Sequence, residues 1–483
     1  MRKAKIVCTI GPASDRLDTL VRLLEQGMNA ARLNFSHGTH ASHAAAIKTI
    51  RQAAEQRRAP VAIIQDLQGP RIRVGEVAER GIELREGQSV RLHTMLARSG
   101  GQLGHQAISS SSTVEIPVTY QHLARDVRPG ARILINDGLV ELKVEQVSGG
   151  HLDCHVVVGG TVTSHKGINL PGTRVSAPTL TDKDREDIRF GVAEGVDYVA
   201  LSFVRGPDDV RAAKKLIGEC GGSIPIIAKI ERQEAIAGLE AILEEADGVM
   251  IARGDLGVEM GPEAVPLLQK RIIAEANRRR RLVITATQML ESMTQHLRPT
   301  RAEASDVANA VFDGTDAVML SAETAIGAHP VETVQVMDRI IRAAEEGCEP
   351  VMVPKRHSDF GDMTLPEAIC TAASSAAAAT KATAIVAFSE LGLTARLISK
   401  QRPTAPIIAF TPFEPVRQQM ALFWGVQPHT MQEIAQTDER VDEAERRLKA
   451  EGLVKTGERI VVLSGTSIGK PGGTNLIKLQ EVE

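Results

Sequence analysis

A chain of 483 residues with a formal charge of −3 is too long for one hydrophobic core, and at roughly 150 residues per domain about three domains are expected. Apolar residues at 43% and charged residues at 24% suit a folded globular protein and exclude a disordered one. The near-neutral charge and only 2% aromatic residues leave neither the basic footprint nor the stacking platforms that nucleic-acid binding needs.

From residue 3 to residue 70 an apolar strand and an amphipathic helix alternate: "KAKIVCTI", a helix near 15–27, "NAARLNFS", a helix near 41–57, then "PVAIIQDL". The rhythm stops at 71 and resumes near 181, where "TDKDREDIRFGVAEG" reads as a capped helix ahead of "VDYVALSFV". "IPIIAKIE", "GVMIARGD", "RLVITATQ" and "DAVMLSAE" follow, each separated by a helix. Eight β/α units in about 240 residues point to an α/β fold, a closed (β/α)₈ TIM barrel, over residues 1–70 plus 175–346. Residues 71–174 are rich in Val, Gly and short alternating runs such as "ARILINDGLVELKVEQV", so a small inserted all-β domain of hairpins is expected, placed to act as a lid. Beyond residue 346 a loop leads to a C-terminal open α/β domain, 347–483, with a helix near 365–380 and the strands "ATAIVAFS", "APIIAFTP" and "ERIVVLSG".

The five cysteines, Cys8, Cys154, Cys220, Cys348 and Cys370, are far apart and include no C-x-x-C pair, which argues against a disulfide framework and for the cytosol. No segment reaches the roughly 18 consecutive apolar residues of a membrane helix, and the first residues lack a signal-peptide pattern, so neither insertion nor export is expected.

Barrel active sites form where the strands end, which gives weight to polar residues closing apolar strands. Strand two supplies Arg32, Asn34, Ser36 and His37, strand three Asp66, strand five Lys229 and Glu231, strand six Arg253, Asp255 and Glu259, strand seven Thr287, and strand eight Ser321 and Glu323. Lys229 and Glu231 are two apart and share one face of a strand, so both can point into the mouth. An ordinary ion pair is the plain alternative, yet a Lys ending a five-residue apolar run is a costly place for a merely structural charge. Glu231 and Asp255 offer hard oxygen ligands, too few to cage a metal but enough for Mg²⁺ that completes its shell with water and phosphate. Asp255 is flanked by Gly254 and Gly257, which let a ligand approach the backbone. Thr287 alone reads best as a side chain capping the next turn, and His37 as a buried structural histidine bonded to backbone. "GTSIGKPGG" is not a P-loop, because Pro471 stands where Ser or Thr should follow Lys470, and no zinc-hydrolase motif occurs.

"ARLNFSHGTH", "DLQGPRIR", "HKGINLPG", "AKIE", "ARGDLGVE", "TATQMLESM" and "AVMLSAETAIGAHP", in this order and across almost the whole chain, resemble the pyruvate kinase family. The resemblance implies phosphoryl transfer from phosphoenolpyruvate to ADP, with Glu231 and Asp255 holding Mg²⁺, Lys229 balancing charge on the moving group, and Arg32 holding the phosphate. It further implies substrate contacts from Ser202, Gly254 and Thr287, with Thr287 near the path of the proton, and nucleotide contacts from Arg73, Lys166, Asn34 and His37. A second Mg²⁺ is expected with ADP. Asn34, Ser36 and Asp66 match a K⁺ site or its remnant, but the Thr-Lys pair and the later Glu of many members are replaced by Leu67, Gln68 and Arg71. A guanidinium there can supply the charge that K⁺ otherwise brings, so activity without K⁺ is expected. In the third domain, Ser389, Thr394, Ser464 and Lys470 are candidates for an allosteric sugar-phosphate or nucleotide site, although Leu391-Gly392-Leu393 lacks the family's usual arginine. The family also suggests a cytoplasmic homotetramer. Two rivals stand beside this reading: another Mg²⁺-dependent barrel, a lyase or aldolase, which needs neither the β lid nor Arg73, and a catalytically silent metabolite sensor, which would have lost some of the charged residues.

Overall fold

The structure is a computed structural model that describes residues 2–94, 113–347, 363–434, 436–465 and 473–483. Eight parallel strands close a barrel: Lys5–Thr9, Ala30–Asn34, Ala62–Asp66, Tyr198–Leu201, Ile226–Ile230, Gly248–Ala252, Leu282–Ala286 and Ala317–Leu320, the first pairing with both the second and the eighth. The strands read as continuous apolar runs because both faces are covered, one by helices and one by the barrel interior. Val7, Ala30, Ile64, Ile227, Met250 and Ile284 fill that interior, so the barrel is a packed core and its chemistry is confined to the mouth.

Reciprocal caps start the helices at Thr39, Thr181 and Thr300. Asp184 does two jobs: one carboxylate oxygen closes the Thr181 cap at 2.9 Å, and the other accepts the Gly69 amide at 3.0 Å. The loop leaving the third strand is thereby fastened to a helix beyond the inserted domain. Gly69 sits at φ +66°, and a Cβ there would lie 2.7 Å from the Phe203 ring, so only glycine fits.

The insert between the third and fourth strands is a seven-stranded sheet with a two-stranded ribbon, packed on Val90, Leu92, Ile133, Leu142 and Leu152. The hairpin expectation needs correcting at one place. Ser89–Thr94 pairs parallel with Val114–Val118, and parallel neighbours need a longer connection than a tight turn. One helical turn, Leu123–Asp126, interrupts the β structure.

The C-terminal sheet runs Val426–Thr430, Ile407–Thr411, Ala384–Phe388, Arg459–Gly465 and Thr474–Glu481, with only the last strand antiparallel. Its two edge strands were not among those anticipated. This domain seals the bottom of the barrel: Ala421 and Leu422 are buried among the barrel's interior side chains, and Tyr198 donates its hydroxyl to the Gln419 carbonyl at 2.9 Å.

Candidate active site

Lys229 is the centre of the mouth. It is 6% exposed, and its ammonium lies 2.8 Å from Ser202 Oγ, 2.9 Å from Glu231 Oε1 and 3.2 Å from Asp66 Oδ1. Burial alone would lower its pKa, but Asp66 and Glu231 outweigh burial and hold it above the usual lysine value. Burial likewise pushes the Asp66 carboxyl up, and Lys229 with Arg32 overcomes it, leaving Asp66 below the usual carboxylate range. Arg32 reaches Asp66 through Nε at 2.6 Å and Thr9 through Nη1 at 3.1 Å, while its Nη2 has no hydrogen-bond partner among the described residues.

Glu231 accepts the Phe203 amide on Oε2 at 2.7 Å. Its Oε1 is buried and receives no hydrogen bond of good geometry, although the Lys229 ammonium is near. Asp255 lies in the first turn of a helix, Arg253–Met260, that begins directly after the sixth strand. Burial, and after it repulsion from Glu231, raises the Asp255 carboxyl to about 6. A buried Glu231, whose Oε1 meets the Lys229 ammonium without a well-formed hydrogen bond, and a half-buried Asp255 thus compete for too little positive charge. Hard oxygen donors in that state suit a small divalent cation. No cluster of three or more His, Cys, Asp or Glu gathers to hold a metal among the described residues, so any such ion must draw its remaining ligands from water or substrate.

Thr287, at φ +71°, accepts the Gly254 amide at 2.9 Å and donates to the Ala286 carbonyl at 2.7 Å. It ties the end of the seventh strand to the helix that carries Asp255. Arg253, Glu259, Ser321 and Glu323, weighed with the other strand-end residues, serve as scaffolding. Arg253 binds Asp306 and the Thr287 carbonyl, both at 2.7 Å, and Glu323 accepts the amides of Leu290 at 3.2 Å and Ser321 at 2.6 Å. Glu259 lies 3.6 Å from Arg232.

His37 is exposed, which corrects the expectation of a buried side chain. The segment after the second strand turns outward once Asn34 Oδ1 accepts the Ser36 amide at 3.1 Å. Partial burial, and after it the field of Arg71, Arg73 and Arg32, lowers the pKa of His37. Arg73 faces Gly167, the neighbour of Lys166, across two antiparallel strands, and donates to the His165 carbonyl at 2.9 Å. A cleft of about 900 Å³ separates the inserted domain from the mouth, walled by Arg71, Gly254 and Asp255 on one side and by Arg132, Asp137 and Glu141 on the other. Asn34, His37, Arg73 and Lys166 are not brought into its wall, and neither are Arg32, Ser202, Lys229, Glu231 and Thr287, which lie deeper in the mouth or beside it. Thr9 and the Phe203 amide escaped sequence reasoning. Thr9 carried a usable signal, as the last residue of the first strand; a backbone amide carries none.

In the C-terminal domain, Ser389, Thr394 and Thr474 border a cavity of about 100 Å³ together with Phe388, Phe410 and Arg440. The Thr394 and Thr474 hydroxyls are 2.6 Å apart. Ser464 is buried in its strand, bonded to the Gly465 carbonyl, and does not reach the cavity wall. Lys470 lies outside the described residues.

The pyruvate kinase barrel-domain model matches residues 1–334, and the pyruvate kinase alpha/beta-domain model matches residues 367–480. The chain belongs to the pyruvate kinase family. It is 45% identical over 487 residues to pyruvate kinase 2 of Synechocystis sp., covering all of this chain and 80% of that one. It is 41% identical over 485 residues to a pyruvate kinase of Clostridium perfringens, covering both in full. A crystal structure of a pyruvate kinase from Cryptosporidium parvum superimposes with a TM-score of 0.92 at 38% identity, covering 100% of this chain and 96% of the other. The protein is therefore an enzyme, a glycolytic phosphotransferase of pyruvate kinase type, and its substrates are phosphoenolpyruvate and ADP. Among the described residues no helix is long and apolar enough to cross a membrane.

Proposed function

We propose that this chain carries out pyruvate kinase chemistry with Lys229 and Arg32 on the phosphoryl group and with Glu231 and Asp255 as the protein ligands of Mg²⁺. The observation that carries this reading is the Lys229 ammonium set among Asp66, Glu231 and Ser202, beside an Asp255 carboxyl that burial and Glu231 raise to about 6. When bound, Mg²⁺ supplies positive charge that draws phosphate and enolate oxygens into the mouth. Arg32 offers Nη2 to the phosphate while Asp66 and Thr9 fix the rest of its guanidinium. As the P–O bond to the enol oxygen breaks and a bond to the ADP β-phosphate oxygen forms, Lys229 lies where the enolate charge develops. Ser202 orients that ammonium, and Gly254 and Asp255 present one helix start to the substrate. Thr287 is placed to pass a proton toward the enolate carbon once its hydroxyl turns from the Ala286 carbonyl. Arg73, Lys166, Asn34 and His37 contact the nucleotide. The field of three arginines at His37 supports a polyphosphate there, and the inserted domain, 71–174, acts as a lid over the barrel, 1–70 plus 175–346.

The family generally uses K⁺ with Mg²⁺; in this chain Arg71 replaces the monovalent cation. Asp66, which with Asn34 and Ser36 would line a K⁺ site, is already occupied by Arg32 and Lys229, and Arg71 is close enough to act electrostatically on Asp255. The C-terminal domain, 347–483, takes a sugar phosphate or nucleotide effector at the Ser389–Thr394 cavity, and the enzyme works as a cytoplasmic homotetramer.

Purified protein mixed with phosphoenolpyruvate, ADP and Mg²⁺ should form pyruvate, and silence under these conditions ends this reading. Rates should be equal in tetramethylammonium and K⁺ buffers; an activation of about tenfold by K⁺, the scale of one lost ionic contact, refutes the role given to Arg71. Calorimetric titration with sugar phosphates and nucleotides should show heat and a shifted substrate curve, and the absence of both removes the effector.

A further inference from the structure

His37 reaches the nucleotide side of the mouth from a five-residue segment, Phe35 to Thr39, that belongs to no helix or strand. Such a segment needs an external brace to hold a side chain still. The structure supplies one. His43, in the first turns of the helix His40–Arg57, places Nε2 2.9 Å from the His37 carbonyl oxygen. A carbonyl only accepts, so Nε2 carries the proton. The same imidazole stacks on Phe35, with ring centroids 4.0 Å apart and planes 12° from parallel. Phe35 is itself fixed at both ends of its peptide unit: its amide donates to the Asp66 carbonyl at 2.9 Å, and its carbonyl accepts the Lys183 ammonium at 2.9 Å. Between the two, Gly38 turns at φ +78°, and a Cβ there would lie 3.2 Å from His43 Nε2.

We infer that His43 is a positioning residue for nucleotide binding: its Nε2–H holds the His37 carbonyl, and its ring, seated on Phe35, aims that bond. The inference rests on the reading of His37 as a nucleotide contact. His43 touches no substrate, and its effect should therefore fall on ADP rather than on phosphoenolpyruvate.

His43→Phe keeps a ring to stack on Phe35 and loses the donor; His43→Gln loses the ring but carries an amide N–H at the same reach. Steady-state kinetics of the full-length enzyme, with each substrate varied in turn, should show KM for ADP rising about fivefold in His43→Phe, the scale of one hydrogen bond, with kcat and KM for phosphoenolpyruvate within about twofold. His43→Gln should recover most of the ADP affinity. His43→Asn, too short to reach, repeats the loss if the Phe variant folds poorly. His37→Ala separates the two ideas. If it raises KM for ADP and the His43 variants do not, the brace is refuted while His37 stands. If it leaves KM for ADP unchanged, both fall. Equal losses in the Phe and Gln variants, or losses shared by both substrates, also overturn the role of Nε2.

Discussion

The two ends of the barrel each bury a lysine against an aspartate, and they differ in everything that follows from the surplus charge. At the mouth, Lys229 and Arg32 face Asp66, Glu231 and Asp255, so carboxylates outnumber the cations packed among them, with Arg71 acting on Asp255 only from a distance. Lys229 is held charged, 2.9 Å from a Glu231 oxygen that receives no well-formed hydrogen bond. At the bottom, Asp316 accepts Lys400, which also bonds Asn277 Oδ1 at 2.8 Å, on one oxygen, and its other oxygen lies 2.8 Å from Arg402 in an ion pair without a well-formed hydrogen bond. Cations outnumber carboxylates there, and burial pushes Lys400 down to about 7 despite the pull of Asp316. The mouth is short of positive charge and open to a cleft; the bottom is closed and joins two domains. A buried Lys–Asp pair therefore says nothing about function until the neighbours are counted.

Exchanging one lysine at a time tests that contrast. Lys229→Met should cost about 10² to 10³ in turnover in a coupled pyruvate assay, with phosphoenolpyruvate binding retained. Lys400→Met should do the reverse: about 3 kcal/mol of stability lost in urea unfolding, because Asp316 loses a buried partner, with kcat of the folded enzyme within about twofold. If Lys400→Met abolishes turnover without destabilising, the two ends are not distinct in the sense drawn here.

A smaller effect separates them by pH. Asp255 has its folded pKa raised to about 6, so the carboxyl gains a proton as pH falls through that value and can no longer ligate. Mg²⁺ affinity of the substrate-free enzyme should be flat above about pH 7 and fall about tenfold per pH unit below about pH 6, measured by calorimetry. Affinity unchanged down to about pH 5 would remove Asp255 from the ligand set.

The barrel strands were readable because strand and helix alternate with distinct periods, and the Lys229–Glu231 pair because a two-residue spacing on a strand fixes one face. Strands with weaker local signals were not. "VQPHT" is mostly polar and contains Pro428, which a sheet tolerates at an edge, and Val426–Thr430 is an edge strand. Thr474–Glu481, at the opposite edge, follows "GTSIGKPGG", whose Gly and Pro read as loop. Asp255 was legible as following a strand, but its place on a helix, and Gly254 bonded to Thr287, depend on how the sixth strand meets the seventh. The bond from Lys400 to Asp316 spans 84 residues and exists only after the third domain docks, so no local pattern announces it. His37 was misjudged as buried although the contact is local: the residue that bonds backbone in that segment is His43, six residues on.

Ala421 and Leu422, inserted among the barrel's interior side chains, finish a core whose last layer belongs to another part of the chain. Because that interior is packed, the layer closes no passage; it covers apolar surface, and a catalytic barrel cut free of its last domain would expose that surface to water at its base.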